Sequence, residues 1–258
     1  MLNKTFVFFI IILCNFIFLN VSSNDQLNFD ISQIEILDAG NKIIGKKRGK
    51  ITSNDGIVIE ADQFEYDKNK NILKASGKIK IEDKINKYKI SSENIVYFKD
   101  IEKIEIEGKS DFIINSNYNF KSEDITILRK DRIIRSDKNT SIIDNENQTF
   151  YEIGKFSYSL KSEVLKGEDF FINTKYNQPF SDKYYFKTAI FNLKDQSYIA
   201  QDIDISLKKD LFGNKENDPR FKGISSSSEN GITTINKGIF TSCKKNDNCP
   251  PWTIQADK

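Results

Sequence analysis

The chain has no histidine, one methionine, one tryptophan and four prolines among its 258 residues. Without histidine it lacks the side chain most often used as a general base and as a zinc ligand. No glycine-rich phosphate loop and no nucleophile elbow occurs. Asp67-Lys68-Asn69-Lys70-Asn71 opens like a calcium loop, but Ile72 stands where the loop needs glycine and the closing glutamate is missing. The carboxylates Glu60, Glu65, Glu82, Glu105 and Glu107 fall on the polar face of alternating segments, a solvated arrangement rather than a converging catalytic pair. Catalysis, a cofactor and a bound metal are therefore not expected. Charge of one sign is also missing: 39 basic residues face 37 acidic ones, which gives no basis for nucleic-acid binding. The one basic cluster, Lys42, Lys46, Lys47, Arg48 and Lys50, reads as a strand edge guarded by lysines, with contact to anionic groups as the alternative.

A single long hydrophobic run is present, and it comes first. Lys4 is followed by the apolar stretch Thr5–Leu19, and Val21-Ser22-Ser23 places small residues at the positions a signal peptidase reads. Cleavage before Asn24 is expected, with residues 1–23 as a signal peptide. The stretch is shorter than the ~20 residues a membrane-anchoring helix needs. In an exported chain the two remaining cysteines, Cys243 and Cys249, are disulfide candidates.

What dominates the rest is extended alternation, repeated. Residues 57–67, IVIEADQFEYD, put Ile57, Ile59 and Ala61 on one face, and Phe64 and Tyr66 resume the pattern after a one-residue phase shift. Such alternation marks a half-buried strand, and the shift implies a bulge or corner at Asp62-Gln63. A turn and a second strand, ILKASGKIKIED, follow. The wording then recurs: Ser92 stands for Ala61 and Gly108 for Gly77, each pair completing the same 16-residue interval. Anchor positions 61, 92, 122, 153, 188 and 223 are spaced by 31, 30, 31, 35 and 35 residues. About seven strand-pair units of ~30 residues predict an all-β fold in which each unit buries its apolar face against its neighbours. The expected architecture is an elongated, V-shaped, two-layer antiparallel β-jellyroll over residues 24–258, with an apolar trough and open sheet edges at its ends.

Ile59-Glu60-Ala61-Asp62-Gln63-Phe64-Glu65-Tyr66-Asp67, followed by Leu73-Lys74-Ala75-Ser76-Gly77-Lys78-Ile79-Lys80-Ile81, resembles the organic-solvent-tolerance (OstA-like) repeat of the lipopolysaccharide-transport proteins. Lys237-Gly238-Ile239-Phe240-Thr241-Ser242-Cys243, with Pro250-Pro251-Trp252-Thr253-Ile254-Gln255-Ala256, is similar to a passage of the outer-membrane assembly (LptD-like) branch of that family. The resemblance spans roughly residues 28–258. It implies a periplasmic domain at the outer membrane that takes lipopolysaccharide from an LptA-like bridge protein by edge-strand pairing. The lipid would pass to an outer-membrane barrel with its LptE-like lipoprotein plug. That branch continues into a barrel for which this sequence has no room, so an N-terminal portion is expected. In the family the cysteine matching Cys243 pairs with one near the barrel's end; here Cys249 is the local alternative. Acyl chains would lie against Ile57, Ile59, Ala61, Phe64, Tyr66, Ile79, Ile81, Ile90, Ile95, Ile106, Phe120 and Ile125. The rival readings are a free LptA-like lipid-binding protein and a small outer-membrane barrel.

Overall fold

The computed structural model describes residues 27–209, 211–213, 216–245 and 252–257. The expected signal peptide lies outside the described residues, as does Cys249.

Each long strand is bent once, and the bends organise the fold. In β7 (Ile72–Asp83), Leu73 and Ala75 point inward before the bend and Ile79, Ile81 and Asp83 after it. Gly77 (φ 79°) and Lys78 (φ 45°) sit at the bend, and the register shifts between Ser76 and Ile79. An inward set can change phase mid-strand only if an extra residue is inserted, which is what a bulge does. Opposite lies the sharper corner expected from the phase shift: β5 (Ile57–Ala61) and β6 (Gln63–Asp67) are separate strands on either side of Asp62. The Asp62 N–H is shared between the carbonyls of Ser76 at 3.2 Å and Gly77 at 3.0 Å. A Cβ on Gly77 would come within 2.9 Å of the Asp62 carboxylate, so backbone conformation and space both favour glycine here.

Through its bend a strand passes from one layer into the other. The first half of β7 pairs with β6 and the second half with β5. The same exchange recurs in β8 (Tyr88–Phe98), β9 (Lys103–Ile114), β10 (Tyr118–Leu128), β13 (Thr149–Ser159), β14 (Val164–Thr174), β15 (Lys183–Asn192), β16 (Ser197–Ser206) and β17 (Arg220–Glu229). Ser92, Ser122, Ile153, Thr188 and Gly223 all adjoin these corners, so the repeat anchors are the places where the chain changes layer.

The first layer starts with β2 (Ile34–Leu37) and β3 (Lys42–Gly45), includes β11 (Ile133–Ser136) and ends with β18 (Ile232–Asn236). The second starts with β1 (Leu27–Ile31) and β4 (Gly49–Ser53), includes β12 (Thr140–Asp144) and ends with β19 (Gly238–Thr241) and β20 (Ile254–Ala256). Every pairing is antiparallel, and the described strands form one 20-stranded, twice-layered sheet. The chain is an elongated two-layer β-jellyroll, as the alternation and the repeat predict.

At the corners, glycine allows neighbouring strands to approach closely. A Cβ on Gly167 in β14 would meet the Lys155 carbonyl oxygen at 2.4 Å and Ile153 Cγ2 at 2.8 Å. Backbone cannot yield as a side chain does, so Gly167→Val is expected to cost about 2 kcal/mol or more. A thermal melt lowered by several degrees would bear this out; an unchanged melt would refute it.

Candidate functional site

The candidate trough residues are drawn from β5 to β10, and the structure brings them together. Ile57, Ile59, Ala61, Phe64, Ile79, Ile81, Ile90, Ile95, Ile106, Phe120 and Ile125 belong to one apolar cluster, each at most 3% exposed. Tyr66 packs against its margin, with its hydroxyl donating to Asn71 Oδ1 at 2.6 Å. Their buried side chains pack into the space between the layers. Phe120 stacks on Phe112 with centroids 4.4 Å apart and reaches across to Phe156 and Tyr158 of β13, each at 5.9 Å. Phe112 and Phe120 lie in one layer, Phe156 and Tyr158 in the other, so this stack joins the two.

The expected V is also shut along its mouth, a feature the alternation did not disclose. Arg129, in the turn after β10, is a rim residue of the first layer. Its guanidinium reaches the opposite rim, where Nε and Nη2 donate to Asp83 Oδ2 at 3.1 Å and Nη1 donates to Asp55. Glu102 and the Tyr97 hydroxyl, from its own rim, also take hydrogen bonds from Nη1. Asp83 is fully buried and caps its own turn, accepting from the Ile85 and Asn86 N–H groups. Burial alone would raise the Asp55 pKa, but hydrogen bonds from Ser53 and Arg129 outweigh it and hold the carboxyl low. At Glu102 burial prevails and the pKa is raised. A second tie joins the rims further along, where the Tyr118 hydroxyl donates to the Leu193 carbonyl at 3.2 Å.

On the outer face many charged side chains are paired across neighbouring strands. Within the basic cluster Lys42 meets Glu65 at 3.0 Å and Lys46 meets Glu35 at 2.5 Å, while Arg48 bridges Asp62 and Glu60 at 3.0 and 3.4 Å. Exposed pairs of this kind are screened by solvent, add little to stability and suit a solvated edge. Glu82 and Glu105 likewise face Lys89 and Lys103. Among the described residues no group of three or more acidic, cysteine or histidine side chains is placed to hold a metal.

The interior becomes accessible at the β17–β20 end. A cavity of about 340 Å³ opens there, lined by Tyr184, Ile205, Leu207, Phe221, Ile235 and Phe240 with Ile254 beside them. That volume falls at the lower end of the range for small-molecule sites. Phe240 is the hub of its wall, 4.6 Å from Phe221 and 5.8 Å from Trp252. The Thr241 hydroxyl donates to the Trp252 carbonyl at 2.9 Å, fastening the Cys243…Trp252 passage across this end. Cys243 is a buried thiol, and Cys249, the other disulfide candidate, lies outside the described residues. The Cys243 carbonyl accepts a hydrogen bond from Arg220 at 2.5 Å.

No family model and no curated protein matches this chain. What it does must be argued from the interior and its open end.

Proposed function

We propose that this chain is a non-catalytic lipid-transport domain of the periplasm. In this reading it receives lipopolysaccharide from an LptA-like bridge protein and passes it to an outer-membrane barrel with its lipoprotein plug. The reading rests on the repeat wording and on one observation above all: the apolar interior ends in an apolar cavity between the layers at the β17–β20 end. Each methylene moved from water into such a place contributes about 0.8 kcal/mol, so acyl chains have a strong drive to enter while sugars stay outside. The outward rows of paired charges suit a domain exposed to water on both faces. At the other end β1 pairs only with β4 and β2 only with β3 among the described strands, and these edges suit strand addition by a bridge protein.

A photo-crosslinking residue at Ile235 or Phe221, on the cavity wall, is expected to capture lipopolysaccharide in cells. The same residue at Ile199, which is 64% exposed on the outer face, is expected to capture little. Equal capture at both places would remove the basis for a lipid path through this end.

A further inference from the structure

Beside the row of corners, the outer face of the first layer is hollowed into a groove. Two adjoining cavities of about 1090 and 700 Å³ form it, and Asp124 and Thr126 line both. Ten strands from β6 to β16 cross the groove, each giving it three successive residues. In Glu105-Ile106-Glu107 of β9, for example, Ile106 is buried and the two carboxylates stand outward. The strand register makes the floor one continuous line. Lys74 lies opposite Val96, Val96 opposite Glu105, Glu105 opposite Thr126, and Thr126 opposite Arg135. The line runs on through Ser157 and Lys166 to Ile190 and Ile199. With neighbouring strands ~4.8 Å apart, ten strands make a groove roughly 43 Å long. An extended polypeptide, at ~3.3 Å per residue, spans that length in about 13 residues.

The chemistry changes along this line. Where β9 and β10 cross it, Glu105, Glu107 and Asp124 make it acidic. Lys103 pairs with Glu105, and Asp124 takes the Gly108 N–H at 2.9 Å and Lys138 at 3.6 Å. Glu107 has no ion pair among the described residues. Where β11, β13 and β14 cross, the surplus is positive. Lys155 bridges Asp137 at 3.8 Å and Glu168 at 3.6 Å, so those carboxylates are engaged. Arg135 and Lys166 are left without an ion pair among the described residues. Where β15 and β16 cross, charge ends: Thr188 and Gln201 flank Ile190 and Ile199, an opposed pair 45% and 64% exposed.

Phe64 and Phe156, the rings in the groove wall among the described residues, belong to the core and offer no stacking platform outside. The change of sign along the floor does not suit the continuous phosphate track of a nucleic acid. We infer that the groove docks an extended polypeptide segment of a partner protein, lying across the strands. Its basic side chains sit opposite Glu105 and Glu107, its acidic ones opposite Arg135 and Lys166, and an apolar one over Ile190 and Ile199. Glu107 and Arg135 are two strand spacings apart, which an extended chain covers in about three residues. Ile190 is three spacings beyond Arg135, or about four residues more. Exposed ion pairs add little singly, but a fixed order of charges over several strands sets register and rejects wrong partners. The surface lies outside the apolar interior, so this inference does not depend on the lipid-transport reading.

The test titrates the purified chain against fluorescent peptides of about 13 residues and reads their anisotropy. One peptide carries the basic, acidic, apolar order at these spacings and is made in both chain directions. The others are its scramble and its charge-swapped form. The wild type is expected to bind the ordered peptide, in one direction, at least about tenfold more tightly than the scramble, and less tightly in high salt. Glu107→Lys, Arg135→Glu and Lys166→Glu together are expected to reverse the choice, losing the ordered peptide and binding the charge-swapped one. All three side chains are exposed, and a gain of binding by the variant separates altered contact from misfolding. Equal binding of ordered and scrambled peptides, binding of neither, or a triple variant that keeps the wild-type choice would each overturn the inference. Displacement of the peptide by an equal concentration of a neutral oligosaccharide would make this a glycan groove and overturn it too.

Discussion

Replacing Arg129 by Ala is expected to destabilise the domain by about 3–5 kcal/mol, the usual cost of leaving buried charge without its partner. For a chain of this size that corresponds to a melting temperature lower by roughly 10 °C or more. The size of the effect follows from the place of Asp83: its side chain is wholly buried, and the guanidinium supplies two of its hydrogen bonds. Arg129→Lys should recover only part of the loss, because one ammonium cannot reach Asp55, Asp83 and Glu102 in the geometry of a planar fork. Amide exchange should rise in the turns 83–87 and 129–132, which meet across the mouth.

The dependence on pH has a definite sign. Asp55 has a lowered pKa in the folded chain, so its contribution is present above its ordinary value of 3.8 and lost as pH falls through the lowered one. Arg129→Ala removes a cause of that lowering and leaves the burial. The gap in stability between wild type and variant should therefore be widest near neutrality and narrow below about pH 4. Glu102 acts in the other direction: its pKa is raised, so its contribution is present below its ordinary 4.5 and lost as pH rises through the raised value. This opposes the acid response that Asp55 gives. A gap that widened on acidification would show that the rims are not held by ionised carboxylates.

This clasp also marks where sequence reading stopped. Alternation and a ~30-residue period are local signals, and they disclosed the strands, the corner at Asp62 and most of the inward side chains, while Ser92 and Ser122 stood out only as repeat positions. The clasp is non-local: Arg129 lies 46 residues from Asp83 and 74 from Asp55, and no motif spans them. A trace of it was nonetheless present. Asp83 continues the inward series Ile79, Ile81, and Asp144 continues Thr140, Ile142, so each is a carboxylate on a face that should be apolar. Both cap the turn that follows by accepting two backbone N–H groups. A charged residue in phase with a buried face requires a partner, and that rule could have prompted a search for the arginine. The closeness of the two layers was not legible for another reason. Periodicity states which side chains face inward but not how far apart two layers stand, and large residues such as Phe112, Phe120, Phe156 and Tyr158 close the gap themselves.

Phe120→Ala tests that last point and carries the other large expected effect. Phe120 is 1% exposed and touches aromatic rings of both layers, so its removal should cost about 3–5 kcal/mol, from lost transfer energy and the void left behind. The variant should still fold, since the rim ties and the strand pairing at Phe112 and Ile142 are independent of the ring. A void lined by Phe112, Phe156 and Tyr158 is apolar, and apolar voids stay dry and accept small apolar ligands. Saturating amounts of a short alkane or benzene should thus raise the melting temperature of Phe120→Ala and leave the wild type unchanged. If the wild type were stabilised equally, the layers would already hold accessible space near Phe120, and the interior would be a continuous trough rather than a packed core with a cavity at its β17–β20 end. The comparison therefore decides between two routes for a lipid: along the whole interior, or into its open end with the layers parting only when the Arg129 clasp is released.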